Sequence, residues 1–132
     1  MSVHLDHILI PVKGRQAAAK LLAFILGVPW GASRFGPFSA VYVNAGLTLD
    51  FDEADAALPV LHYCFRVKES DFDAIVSRME SAGIAYRSSP HGPVDGRVDT
   101  AHGGKIVYWS APGGHYWEAL TVSYARQPAS AS

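Results

Sequence analysis

From Val3 to Val12, Val3, Leu5, His7 and Leu9 share one parity and Ile8 and Ile10 the other. Apolar residues on both parities predict a strand covered on both faces. Gln16 to Leu26 is rich in Ala and Leu, and Leu21, Leu22 and Ile25 form a stripe at helical spacing. Gly27 supplies the left-handed residue that ends such a helix. Leu61 to Val67 again has a strand pattern. Ser70 is placed to cap a helix in which Phe72, Ile75, Val76 and Met79 recur at helical spacing, with Gly83 closing it.

The two stretches superpose. A shift of 55 (62 minus 7) carries His7 onto His62, Val12 onto Val67, Lys13 onto Lys68 and the first helix onto the second without a gap, with Trp30 matched to Tyr86. A shift of 68 (118 minus 50) carries Ala45 to Phe51, a turn and a strand, onto Gly113 to Ala119. The surplus of 13 falls to Ser88 to Gly104, dense in Gly, Pro, Ser, His and Asp, which we expect to be a functional loop. Each half reads as strand, helix and about three further strands, with module one over about 1–55 and module two over about 58–124. Sheets of that size cannot bury both faces alone, so two modules must pack together. The expected class is α+β: a curved, mostly antiparallel sheet around a cavity, with helices outside. Residues 125–132 are small and polar and are expected to form a flexible tail.

Composition narrows the partners. At 132 residues and 49% hydrophobic, the chain supports a single domain, 1–124, with a proper core. Eleven Lys and Arg against twelve Asp and Glu leave no electrostatic footprint for nucleic acid or a membrane surface. Cys64 is the only cysteine, which excludes an internal disulfide and a Cys-rich zinc site and suits a reducing cytoplasm. The longest apolar run, Leu21 to Val28, is too short to span a bilayer, and no signal core opens the chain.

The repeat places an ionisable residue at one structural position four times: His7 and His62 on the opening strands, Asp50 and Glu118 on the closing ones. Two imidazoles and one carboxylate converging on a point form a metal site that leaves positions open for substrate or water. Iron(II), manganese, zinc and nickel all suit such ligands. Glu118, between Trp117 and Ala119, reads as buried and therefore needs a cation or donor beside it. A metal would supply it; Arg66, on the strand face of His62, is the competing partner. Arg97 in the long loop could clamp a carboxylate or phosphate. His91, His102 and His115 are acid–base candidates, His115 the best placed. Tyr116 shares the face of Glu118 and is expected to line the pocket, whereas Tyr63 points away from the face of His62. Trp30, Trp109 and Trp117 read as core, and Cys64 as a small buried hydrophobe rather than a nucleophile.

Leu5-Asp6-His7-Ile8, the strand His62-Tyr63-Cys64-Phe65 before a helix, and Gly104-Lys105-Ile106-Val107-Tyr108-Trp109 leading through Pro112-Gly113-Gly114-His115 to Glu118 resemble the glyoxalase, bleomycin-resistance and extradiol-dioxygenase superfamily, the vicinal oxygen chelate proteins. The resemblance runs nearly the whole chain, to Tyr124. It implies paired βαβββ modules and homodimers, often with sites shared between two chains. It aligns His7, His62 and Glu118 with metal ligands and makes Asp50 a fourth ligand or base, where some relatives carry Glu. The implied activity is that of an enzyme with one divalent metal ion that chelates adjacent oxygens of a small oxygen-rich substrate and stabilises a developing enolate or oxyanion. A lyase or isomerase comes first among the reactions it implies. An extradiol dioxygenase and a metal-free small-molecule-binding protein of the bleomycin-resistance kind are the alternatives.

Overall fold

The computed structural model describes residues 2–125; of the tail expected over 125–132, residues 126–132 lie outside the described part. Alternation and helical spacing resolve into ten elements. They are β1 (His7–Val12), α1 (Arg15–Leu26), β2 (Trp30–Ala32), β3 (Phe38–Asn44), β4 (Leu47–Glu53), β5 (His62–Arg66), α2 (Glu69–Ser81), β6 (Tyr86–Arg87), β7 (Ile106–Trp109) and β8 (Tyr116–Leu120). Strand, helix and three strands thus occur twice, an α+β fold of two βαβββ modules. The expected sheet takes the form of two four-stranded sheets, ordered β1-β4-β3-β2 and β5-β8-β7-β6. In each, the opening strand runs parallel to the closing one and the other pairs are antiparallel. The described residues form two compact units, one of 2–61 with Ala111–His115 and the other of His62–Ser110 with 116–125.

In the first unit α1 covers one face of its sheet, burying Ala18, Ala19, Leu22, Ala23 and Ile25, while Leu21 stays half-buried. The strands answer with Ile10, Val12, Val41, Leu49 and Phe51, all within 3% of full burial. β1 is therefore covered on one face rather than two, and Leu9 on the other is 47% exposed. Gly14, at the start of α1, has no side chain with which to cap it. Glu53, at the end of β4, does so instead, accepting from the Gly14 N–H at 2.7 Å and the Arg15 N–H at 3.0 Å. At the other end Gly27, with φ at +73°, donates back to the Ala23 and Phe24 carbonyls.

In the second unit α2 opens at Glu69 and its buried stripe is Phe72, Ile75 and Met79. Ser70 is not its cap. The capping position is Lys68, which makes no side-chain bond, and the acids Glu69 and Asp71 face the positive end of the helix dipole instead. Trp117 is fully buried and stacks on Tyr63 and Phe65, with ring centroids at 4.9 and 6.2 Å. Trp109 is buried too, but Trp30, on the three-residue edge strand β2, is 40% exposed and belongs to no core. No helix among the described residues is long and apolar enough to cross a membrane.

Strand register reproduces the repeat. His7 pairs with Thr48 and Leu9 with Asp50 in one sheet, His62 with Tyr116 and Cys64 with Glu118 in the other, at shifts of 55 and 68. The repeat is not gapless, however: α2 has 13 residues and α1 has 12. The helix-ending glycines Gly27 and Gly83, and the edge residues Trp30 and Tyr86, therefore match at a shift of 56. Trp30 pairs with Val41, 11 residues on, and Tyr86 with Trp109, 23 residues on, so 12 of the 13 surplus residues (23 minus 11) lie in the long loop and the other in α2. Asp95 organises that loop by accepting from the Ser88 N–H and hydroxyl and the Arg97 N–H.

Candidate functional site

Pairing residues share a sheet face, so the face of the first unit opposite α1 carries His7 and Leu9 from β1, Thr48 and Asp50 from β4, and Ala40 and Tyr42 from β3. A cavity of about 530 Å³ opens on it, with His7, Arg34, Phe38, Tyr42 and Asp50 in its wall. Asp50 is 9% exposed. His7 is held by its neighbour: Nδ1 lies 2.8 Å from the Asp6 carboxylate, and this bond raises the imidazole pKa. Nδ1 is then the protonated nitrogen, and Nε2 is left with its lone pair, the orientation that carboxylate–histidine pairs give to metal ligands.

The matching face of the second unit carries His62, Cys64, Tyr108, Tyr116 and Glu118. Glu118 is fully buried, with His62 Nε2 at 2.7 Å and the Tyr124 hydroxyl at 2.9 Å from both carboxylate oxygens. Although the Cys64 residue is exposed, its thiol is partly desolvated, and this, then the Glu118 charge, pushes it up to about 12. The same two causes lead in raising the Tyr108 hydroxyl to about 12. Burial first, then the bond to Glu118, raises Tyr124 as well. These groups stay protonated at neutral pH, so Cys64 is no nucleophile. Nor is it the buried hydrophobe expected, since its residue is exposed.

Arg66 is exposed and forms no ion pair among the described residues, so the competing salt bridge to Glu118 is not formed. Tyr124 is the partner that the sequence did not suggest. Arg97 is exposed in the turn that Asp95 holds. The buried arginine is Arg87, 7% exposed, which donates to the Pro90 carbonyl and the Ser110 hydroxyl. Its guanidinium lies 5.6 Å from the centre of the Tyr116 ring, against which His91 and His62 pack edge-on at 5.1 and 6.3 Å. His115 is a structural link, not a pocket residue. It is 1% exposed, its Nδ1 accepts from the Leu61 N–H at 3.1 Å, and its Nε2–H donates to the Pro11 carbonyl at 2.9 Å. His102 is exposed beside Asp99.

Among the described residues no three His, Cys, Asp or Glu side chains form a ready cluster for a metal ion. The donors come instead as the pair His62–Glu118 in the second unit and as His7 and Asp50 on the cavity of the first. An imidazole nitrogen 2.7 Å from a fully buried carboxylate is the donor chemistry a divalent cation takes, so the residues present fit such an ion.

No family model matches the chain, and no curated protein matches it by sequence. Solved structures do. Oxidase ChaP-H2 is 35% identical, with a TM-score of 0.87 over 94% of this chain and 97% of that one. Oxidase ChaP-H1 is 37% identical, with a TM-score of 0.85 over 93% and 98%. The fosfomycin resistance protein FosX from Listeria monocytogenes, in a mutant form complexed with Mn(II) and dihydroxypropylphosphonic acid, shares the fold at 18% identity, with a TM-score of 0.68 over 96% and 98%.

Proposed function

Because the chain belongs to the vicinal oxygen chelate superfamily, we propose that it is a divalent-metal-dependent enzyme acting on a small oxygen-rich organic substrate, with His7, His62 and Glu118 as metal ligands. The observation that carries this reading is Glu118, a carboxylate with no solvent exposure whose nearest partner is an imidazole nitrogen at 2.7 Å. The repeat supports it as well, since His7 and His62, and Asp50 and Glu118, hold equivalent register positions in their sheets. FosX, complexed with Mn(II), is a precedent for the fold with a divalent ion.

When bound, the ion supplies Lewis-acid stabilisation of an oxyanion and, if redox-active, electron transfer. The protein's own groups do the rest. Asp6 fixes the His7 ring, Asp50 serves as a fourth ligand or takes a proton from substrate, and Tyr116 packs beside His62. Two neighbours above 30% identity are named oxidases, which moves the reaction class from the lyase or isomerase expected from sequence towards oxidation. Exposed Leu9, Phe35 and Tyr42 on the open face of the first unit support a homodimer.

The test is the metal content of protein purified without chelator, wild type against His62→Ala and Glu118→Gln. About one ion per wild-type chain is expected, with affinity lowered at least about 100-fold in each variant. Equally little metal in all three would remove the basis of the reading.

A further inference from the structure

The five residues between β2 and β3 form a braced turn at the mouth of the first unit's cavity. The Ser33 N–H donates to the Phe38 carbonyl at 2.9 Å and the Phe35 N–H to the Ser33 hydroxyl at 3.1 Å. At Gly36 a Cβ would stand 2.5 Å from the Phe38 ring, so that ring packs directly across the glycine. Arg34 sits on this turn and is the only lysine or arginine in the cavity wall among the described residues. It forms no ion pair among them, although two carboxylates share the wall. Asp6 is engaged with His7, and Asp50 lies nine-tenths buried at the sheet. The wall is otherwise mostly apolar: Leu9, Phe35, Phe38, Ala40 and Tyr42.

A cavity of this size and lining, with few polar groups, is suited to a small organic molecule. Its polar groups are also sorted. Asp50 and Thr48 lie side by side at the sheet and Arg34 at the turn, with aromatic rings also in the wall. A ligand carrying a carboxylate is repelled by Asp50 and attracted by Arg34, whose planar fork matches a carboxylate in a bidentate pair. A flat ring system suits Phe38 and Tyr42 better than an aliphatic chain does.

We propose that this cavity is a recognition site for an aromatic carboxylate, with Arg34 as its specificity-determining residue. The inference deepens the enzymatic reading above by naming the substrate class. The ligand lies with its ring against Phe38 and Tyr42, its carboxylate on Arg34 and its far edge towards Thr48 and Asp50. There a ring hydroxyl can donate to the Asp50 carboxylate.

The experiment is a titration of isotope-labelled protein with 1-naphthoate and with its uncharged counterpart 1-naphthalenemethanol, followed by NMR. Wild type should bind the naphthoate more tightly than the alcohol, shifting the Ala40 and Thr48 amides. Arg34→Gln should weaken naphthoate about tenfold or more and leave the alcohol unchanged. Arg34→Lys should recover part of the loss, and Lys20→Gln, an equal charge change on α1, should do nothing. The proposal is overturned if Arg34→Gln binds naphthoate as wild type does, if Lys20→Gln weakens it equally, if wild type prefers the alcohol or binds neither, or if Ala40 and Thr48 do not shift. Mn(II) uptake by the same proteins, read by electron paramagnetic resonance, is a separate result. Its absence would count against the metal reading and leave the naphthoate result standing.

Discussion

A carboxylate buried as completely as Glu118 costs several kcal/mol unless donors surround it. His62 and Tyr124 are those donors. Replacing Tyr124 by Phe should therefore destabilise the metal-free protein by about 1 kcal/mol in urea unfolding. Arg66→Gln, which removes an exposed and unpaired charge, should change stability by no more than about 0.5 kcal/mol. The reverse order would restore the salt bridge to Glu118. His62 and Glu118 could be read from sequence because the repeat marks them twice and alternation gives their face. Tyr124 could not, because beyond Leu120 no periodicity continues and a turn alone brings it back. The arginines show the same limit: Arg97 sits in a Gly-rich loop and looked available, whereas the burial of Arg87 depends on Ser110, 23 residues away.

At the scale of elements, α1 depends on a cap that comes from elsewhere in the chain. Backbone N–H groups of Arg15, then Gly14, hold the Glu53 carboxyl below its usual 4.5. A group depressed in the folded state adds stability above its unfolded pKa and loses it as pH falls through the folded value. Wild type should accordingly lose melting temperature from just below pH 4.5 downward, and Glu53→Gln should start lower and show a shallower fall. Parallel acid profiles for the two proteins would show that the carboxylate does not act as the cap. No local motif announces this pairing, since 38 residues separate Glu53 from Arg15. What could be read was the order of elements, which residues share a strand face and the position of the loop, because periodicity and the two shifts report those directly; that β1 is covered on one face only was not. The extra residue in α2 was hidden, because lengthening a helix by one residue leaves its apolar stripe intact.

At the scale of the whole molecule, the two units do not divide the chain at one point. Residues 111–115, which follow β7, belong with 2–61, and there His115 satisfies the Leu61 N–H and the Pro11 carbonyl. In the same segment Gly113, at φ +75°, lies where a Cβ would meet Val12 at 2.8 Å. A fragment ending at Leu61 should therefore stay unfolded by circular dichroism, because the Leu61 N–H and the Pro11 carbonyl lose their partner and the Val12 contact is missing. A cooperative melt of that fragment would show that the added segment is dispensable. During synthesis the consequence is one of timing. The first 61 residues leave the ribosome on the order of seconds before the five that complete them. Until then the amino-terminal sheet waits without the partner of its Leu61 and Pro11 backbone groups, and synthesis must pass His115 before the first unit can close.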